Sequence, residues 1–236
     1  MNEFITGLPG IMTSRAAAPR KVLVTTQGVI RMPKMVSIDG TLSGDAGNTP
    51  DVDVLRAGVL MGKITTGGKY RNSIVGKSNL AYTDNELAIQ MDLATATEIA
   101  RLKTAGGGGN LSMLFIGPPT AGGTVAETAI TVTAVTLNGA TSTVTVADLG
   151  LNKVTDSLLC LADGSKTPVA IVEDSYGILL SDIDKVRKDV PLDRLVVAGV
   201  VDVNQIVNYP ADASTKAWVK AQLRLGGGEW IFSDDF

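Results

Sequence analysis

The 236-residue chain contains no histidine, and that absence narrows its chemistry more than any motif does. Ser-His-Asp and Cys-His catalysis both require an imidazole, and histidine is the commonest zinc ligand, so these sites are excluded. Cys160 is the single cysteine, which rules out an intrachain disulfide and leaves no demand for an oxidising compartment. Within Leu158-Leu-Cys-Leu-Ala162 it reads as a small buried hydrophobe. Aromatic residues make up only 4% of the chain, while Gly, Thr, Val and Ala are plentiful, the usage of a β-rich protein with many turns. No apolar run approaches the roughly 20 residues that a membrane helix needs. Glu3 stands where a signal peptide carries basic residues, and Pro9 and Gly10 break the apolar stretch, so neither a membrane span nor export is expected.

Charge is present but unevenly placed. Residues 1–35 hold Arg15, Arg20, Lys21, Arg31 and Lys34 against Glu3 alone, a net of +4, which leaves −7 on the rest of a chain whose total is −3. A basic arm on an acidic body suits docking on an acidic partner surface. Nucleic acid is not expected, because the arm has no interleaved aromatics and the whole protein is acidic. The arm's apolar residues Val22, Val24, Val29 and Ile30 suggest an extended segment able to add to a neighbour's sheet. Ser43 to Pro50 reads as turn-rich linker, which closes an arm-and-linker region at 1–50.

Val54–Tyr70 has the glycine punctuation of a short strand pair, with Val59, Met61 and Ile64 as its apolar positions. Farther on, Leu87, Ile89 and Met91 alternate like a strand, and Asp92 is placed to cap a helix over about Leu93–Lys103. The four glycines Gly106–Gly109 then stop it. A rival start at Thr83, from the capping box Thr83-Asp-Asn-Glu86, competes with this reading. Asn138-Gly139 is a hairpin signal. A bulge near Ala134–Val135 would let Val132 face Val144 and Ile130 face Val146. Asp163-Gly164 is placed to turn Leu158–Ala162 back on Thr167–Val172. Leu195–Val203, apolar on both faces, predicts the most buried strand. Ser214 is expected to cap a helix burying Trp218, Val219 and Leu223, with Lys216, Lys220 and Arg224 on its solvated side.

Tempting chemistry dissolves on inspection. Gly106–Gly109 precede Asn110-Leu-Ser rather than the Gly-Lys-Ser/Thr of a phosphate loop. Asp51/Asp53 and Asp182/Asp184 are short acid pairs without the further oxygen ligands of a calcium loop. No cofactor, metal or catalytic residue is assigned.

Leu55-Arg-Ala-Gly-Val-Leu-Met-Gly-Lys-Ile-Thr-Thr-Gly-Gly-Lys-Tyr70 resembles the opening segment of tailed-phage head-decoration proteins, the family of the phage lambda decoration protein. Asp163-Gly-Ser-Lys-Thr-Pro-Val-Ala-Ile-Val172 with Gly177-Ile-Leu-Leu180 is similar to the segment that follows it there, and Leu192–Val203 to the next strand pair. Ala213–Phe232 is similar to the closing helix and strand. The resemblance covers roughly half the chain. It implies an α+β fold, mainly β with short helices: a discontinuous body at 51–78 plus 162–236, interrupted by an inserted β-rich domain at 79–161 that is removable as a unit. It further implies a non-enzymatic homotrimer bound to the major capsid protein on the outer capsid surface and made in the host cytoplasm. The arm residues Arg20, Lys21, Val22, Val24, Val29, Ile30, Arg31 and Lys34 are then the capsid contacts. A head fibre or adhesin, gripping a host surface through the insert, is the alternative.

Overall fold

The computed structural model describes residues 21–25, 27–31, 36–45, 54–63, 68–83, 87–119, 123–147, 149–161, 177–178, 183–184, 190–192, 195–225 and 229–235. In chain order the first strands are β1 (Ile30–Arg31), β2 (Val36–Ile38), β3 (Val54–Leu55), β4 (Leu60–Lys63), β5 (Tyr70–Asn72), β6 (Ile74–Lys77) and β7 (Ala88–Met91), and helix α1 (Leu93–Ala105) follows. Next come β8 (Leu111–Gly117), β9 (Ala126–Val132), β10 (Ala134–Thr136), β11 (Ser142–Thr145) and β12 (Leu158–Leu161). The last are β13 (Gly177–Ile178), β14 (Ile183–Asp184), β15 (Val190–Leu192), β16 (Val196–Val201), helix α2 (Ala213–Leu225) and β17 (Trp230–Phe232). Among the described residues the fold is mainly β with two short α-helices, in the α+β class.

One sheet runs β1-β16-β13-β4-β5-β2-β15, with β17 joining β16 in parallel. The glycine-punctuated Val54–Tyr70 stretch supplies β4, which pairs antiparallel with β5 as its alternation predicts; Met61 lies opposite Asn72 and Lys63 opposite Tyr70. Gly58, at φ +93°, turns the chain into β4, and its carbonyl accepts a 3.0 Å bond from the Val207 amide. β15 and β16 are not a pair: β15 sits on β2 at the far end of the order, while β16 lies between β1 and β13. β16 is nonetheless well buried, with Val196, Ala198 and Val201 inside.

A second sheet, β6-β12-β8-β9, joins the two halves of the chain. Its runs Leu111–Gly117 and Leu158–Leu161 are apolar without alternation because both faces are covered. Side chains still alternate between faces. Leu114, Ile116, Leu158 and Cys160 pack with Val219, Leu223, Trp230 and Phe232 in the body core. Met113, Phe115, Leu159 and Leu161 pack with Ile99, Leu102, Val132 and Val144 on the opposite side. The boundaries at 78/79 and 161/162 therefore cut through a sheet whose two faces serve two cores. Both hydrogen-bonding edges of β12 are taken, by β6 and β8, and the expected return strand at 167–172 lies outside the described residues.

The third sheet, β10-β11-β7, closes the middle module over α1. Asp92 caps α1 as expected: its carboxylate accepts from the Thr95 amide at 2.8 Å and the Thr95 hydroxyl at 2.9 Å. Gly76 on β6 gives the helix its seat, because a Cβ there would collide with Thr95. The hairpin register departs from expectation. Val144 lies opposite Val135, not Val132, and Ile130 and Val132 pair with Met113 and Leu111 of β8. The chain leaves one sheet for the other at Thr133, and Gly139–Thr141 form a 3-10 turn in place of a two-residue turn. The stretch Ser43–Pro50 is not all loose linker either. Asp45 holds the Arg56 guanidinium at 2.6 and 2.8 Å, and Arg101 of α1 donates to the carbonyls of Thr41 (2.8 Å) and Ser43 (3.0 Å).

Candidate functional site

The arm enters the described structure at Lys21 and runs antiparallel along β16. The Val24 amide donates to Val200 and the Asp202 amide to Val22, each at 2.9 Å, and Ile30 and Arg31 pair with Ala198 and Val196. Between them the chain bulges outward through Gln27 and Gly28, whose φ of +75° suits glycine. This path splits the four apolar arm residues. Val22 is buried in the body core and Val29 packs partly against it, so these two are spent within the chain, contrary to the expectation of a wholly unspent arm. Val24 and Ile30 point outward, 51% and 55% exposed, with exposed Lys21 and Arg31 beside them. Because β1 ends the sheet order, its outer edge has no partner strand among the described residues. Arg20 and Lys34 lie outside the described residues.

The cationic stripe of α2 is partly solvated, as its spacing suggests, with Arg224 exposed, but it also carries ion pairs and Lys220 is largely covered. Asp212, rather than Ser214, caps this helix: its carboxylate takes the Thr215 amide at 2.7 Å and the Thr215 hydroxyl at 2.8 Å. Lys220 then meets Asp234 and Asp235 at 2.6 Å each, and Arg224 meets Asp235 at 3.3 Å. Lys220 and Arg224 also lie 5.2 and 5.3 Å from the Phe232 ring centre. The Lys220 hydrogen bond holds the Asp235 carboxyl below its ordinary range. Burial, with the nearby Asp234 carboxylate, pushes the Tyr209 phenol up. Trp218 is only partly buried and donates through its indole N–H to Glu127 at 3.1 Å.

Lys153 is a buried group for which the sequence carries no signal. It is 1% exposed, and its ammonium donates to the carbonyls of Gly117 (2.9 Å) and Ala126 (2.7 Å), tying the ends of β8 and β9. It lies 5.5 Å over the Phe115 ring, which Tyr82 meets edge-on at 5.8 Å. Burial lowers its pKa to about 8. Cys160 is buried as expected, and burial pushes its thiol up.

None of these clusters joins a nucleophile to a base. Among the described residues no three Cys, Asp or Glu side chains converge as metal ligands. Asp51, Asp53 and Asp182 lie outside the described residues, and Asp184 belongs to β14. Both aromatics of the middle segment, Tyr82 and Phe115, are buried, so its described surface offers no aromatic platform for a sugar. The arm edge is therefore the best candidate for an interface. The chain matches no protein-family profile, no curated protein and no solved structure.

Proposed function

We propose that the chain is a head-decoration protein of a tailed phage. In this reading it binds the major capsid protein on the outer surface of the head as a homotrimer at local threefold positions. Its role is structural: many copies add contact area between shell subunits and stabilise the assembled shell by linkage, without catalysis. The Leu55–Tyr70 and Asp163–Val172 segments support the reading through their resemblance to that family.

The observation that carries it is the arm edge. Ile30 stands outward on the terminal strand β1 and Val24 on the arm segment that precedes it, flanked by Arg31 and Lys21. An open strand edge with outward apolar side chains is a template for strand addition, and its cations favour an acidic receiving surface.

The test is co-sedimentation with heads lacking the protein. Val24→Ser with Ile30→Ser should remove about 2 kcal/mol of apolar burial, which raises the concentration for half-saturation roughly thirtyfold. Unchanged saturation by the double variant would remove the arm edge from the interface.

A further inference from the structure

Lys216, Lys220 and Arg224 recur every four residues along α2, so they stand on one face about 6 Å apart along the helix axis. The 3-10 turn Ser233–Asp235 lies against this row and gives it two carboxylates. Both reach Lys220, and Asp235 also reaches Arg224, while Lys216 lies 6.0 Å over the Tyr209 ring instead. On either side of the turn the surface is concave. One cleft of about 360 Å³ runs over Asn204, Tyr209, Lys216 and Asp234; the other, about 390 Å³, runs over Lys216, Lys220, Arg224 and Asp235.

We propose that this row is a receptor for an acidic peptide segment of a partner chain, and that the Ser233–Asp235 turn is a stand-in the protein supplies to itself. Three features carry the inference. The row already holds the chemistry of its ligand, two carboxylates next to an aromatic ring. The clefts flanking the turn leave room for a longer segment than the one in place. An extended chain with an acid at every second residue repeats about every 6.6 Å, close to the spacing of the cations, so it would engage all three where the adjacent Asp234 and Asp235 engage two. The outer half of the self-contact is displaceable, because Arg224 is half-exposed and Asp235 a third exposed, and an ion pair so open to water holds weakly, whereas Lys220, 13% exposed, holds both carboxylates more firmly. This site is independent of the arm edge, which lies on other elements.

The experiment measures the anisotropy of a fluorescein-labelled alternating Asp-Ser octapeptide against the full chain at low salt. Neutralising the stand-in with Asp234→Asn and Asp235→Asn should tighten binding about tenfold, equivalent to about 1.4 kcal/mol. Adding Lys216→Met and Arg224→Glu to that chain should abolish it. Both changes fall on side chains at least partly open to water, and melting curves confirm that each variant is folded. If Lys216→Met nonetheless lowers stability, Arg224→Glu alone should weaken binding at least tenfold. Equal affinity of the unaltered and neutral-tail chains would overturn the proposal, since the turn would then be guarding nothing. Tight binding that survives loss of the cations would overturn it too, by moving the peptide to another basic segment such as the arm.

Discussion

Lys153 offers a test of how dry the middle module is. An ordinary lysine titrates near 10.5, and this one is brought to about 8 by burial. At 1.36 kcal/mol for each pH unit, holding the ammonium charged at neutral pH costs the folded state about 3 kcal/mol. The two carbonyl bonds hold the ammonium in place and limit that cost without removing it. Between about pH 8 and pH 10.5 the unfolded chain binds more protons at this position than the folded one, so stability rises with pH across that window. Lys153→Met keeps the aliphatic stem and removes the titration. Cys160 and Tyr209 have raised pKa values and pull stability the opposite way, so the informative quantity is the difference between parent and variant. Urea unfolding followed by tryptophan fluorescence from about pH 7 to about pH 10 should show that difference growing by 2–3 kcal/mol in favour of the parent. A difference constant across the range would refute the burial argument, because the ammonium would then be solvated in the folded state.

Two further perturbations probe the body. Gly58→Ala forces an L side chain into φ +93° and drives its Cβ into the Gln205 carbonyl, so it should cost about 2–4 kcal/mol in chemical unfolding. Excising the middle segment by joining Gly76 to Asp163, which removes residues 77–162, should give an insoluble or unfolded product. The cut strips Leu114, Ile116, Leu158 and Cys160 from the body core, about 5–10 kcal/mol of burial, comparable to the whole stability of a domain. A soluble, cooperatively melting remainder would show that the body core closes without the middle sheet.

What the sequence reveals here is local, and what it hides depends on neighbours distant in the chain. Asp92 and the Gly106–Gly109 stop define α1 because a cap and a C-terminal glycine act within a turn of where they stand. The same logic found a helix at Ala213–Leu225 but chose the wrong cap, since Asp212 and Ser214 are both good capping residues and only the carboxylate engages both donors of Thr215. At Asn138-Gly139 the turn residues point to a tight hairpin. There the Ser142 hydroxyl, accepting from Asn138 and donating to Gly139, holds a longer 3-10 turn, and the departure of the strand at Thr133 sets the register. Continuous apolar runs revealed buried strands without revealing that they lie between two cores. For the arm, alternation alone could not separate Val22, which faces inward against β16, from Val24, which does not. Lys153 in Asn152-Lys-Val154 looks like any surface lysine, and only the carbonyls of Gly117 and Ala126 make it structural.

The central claim is that this chain decorates a capsid through the edge formed by residues 21–31. Cryo-electron microscopy of heads saturated with it tests that directly. The account predicts three copies around each local threefold position on the outer surface, with Val24, Ile30 and Arg31 in contact with the shell and the middle module directed away from it. Heads without added density, or density in which the middle module makes the contact while β1 faces solvent, would contradict it.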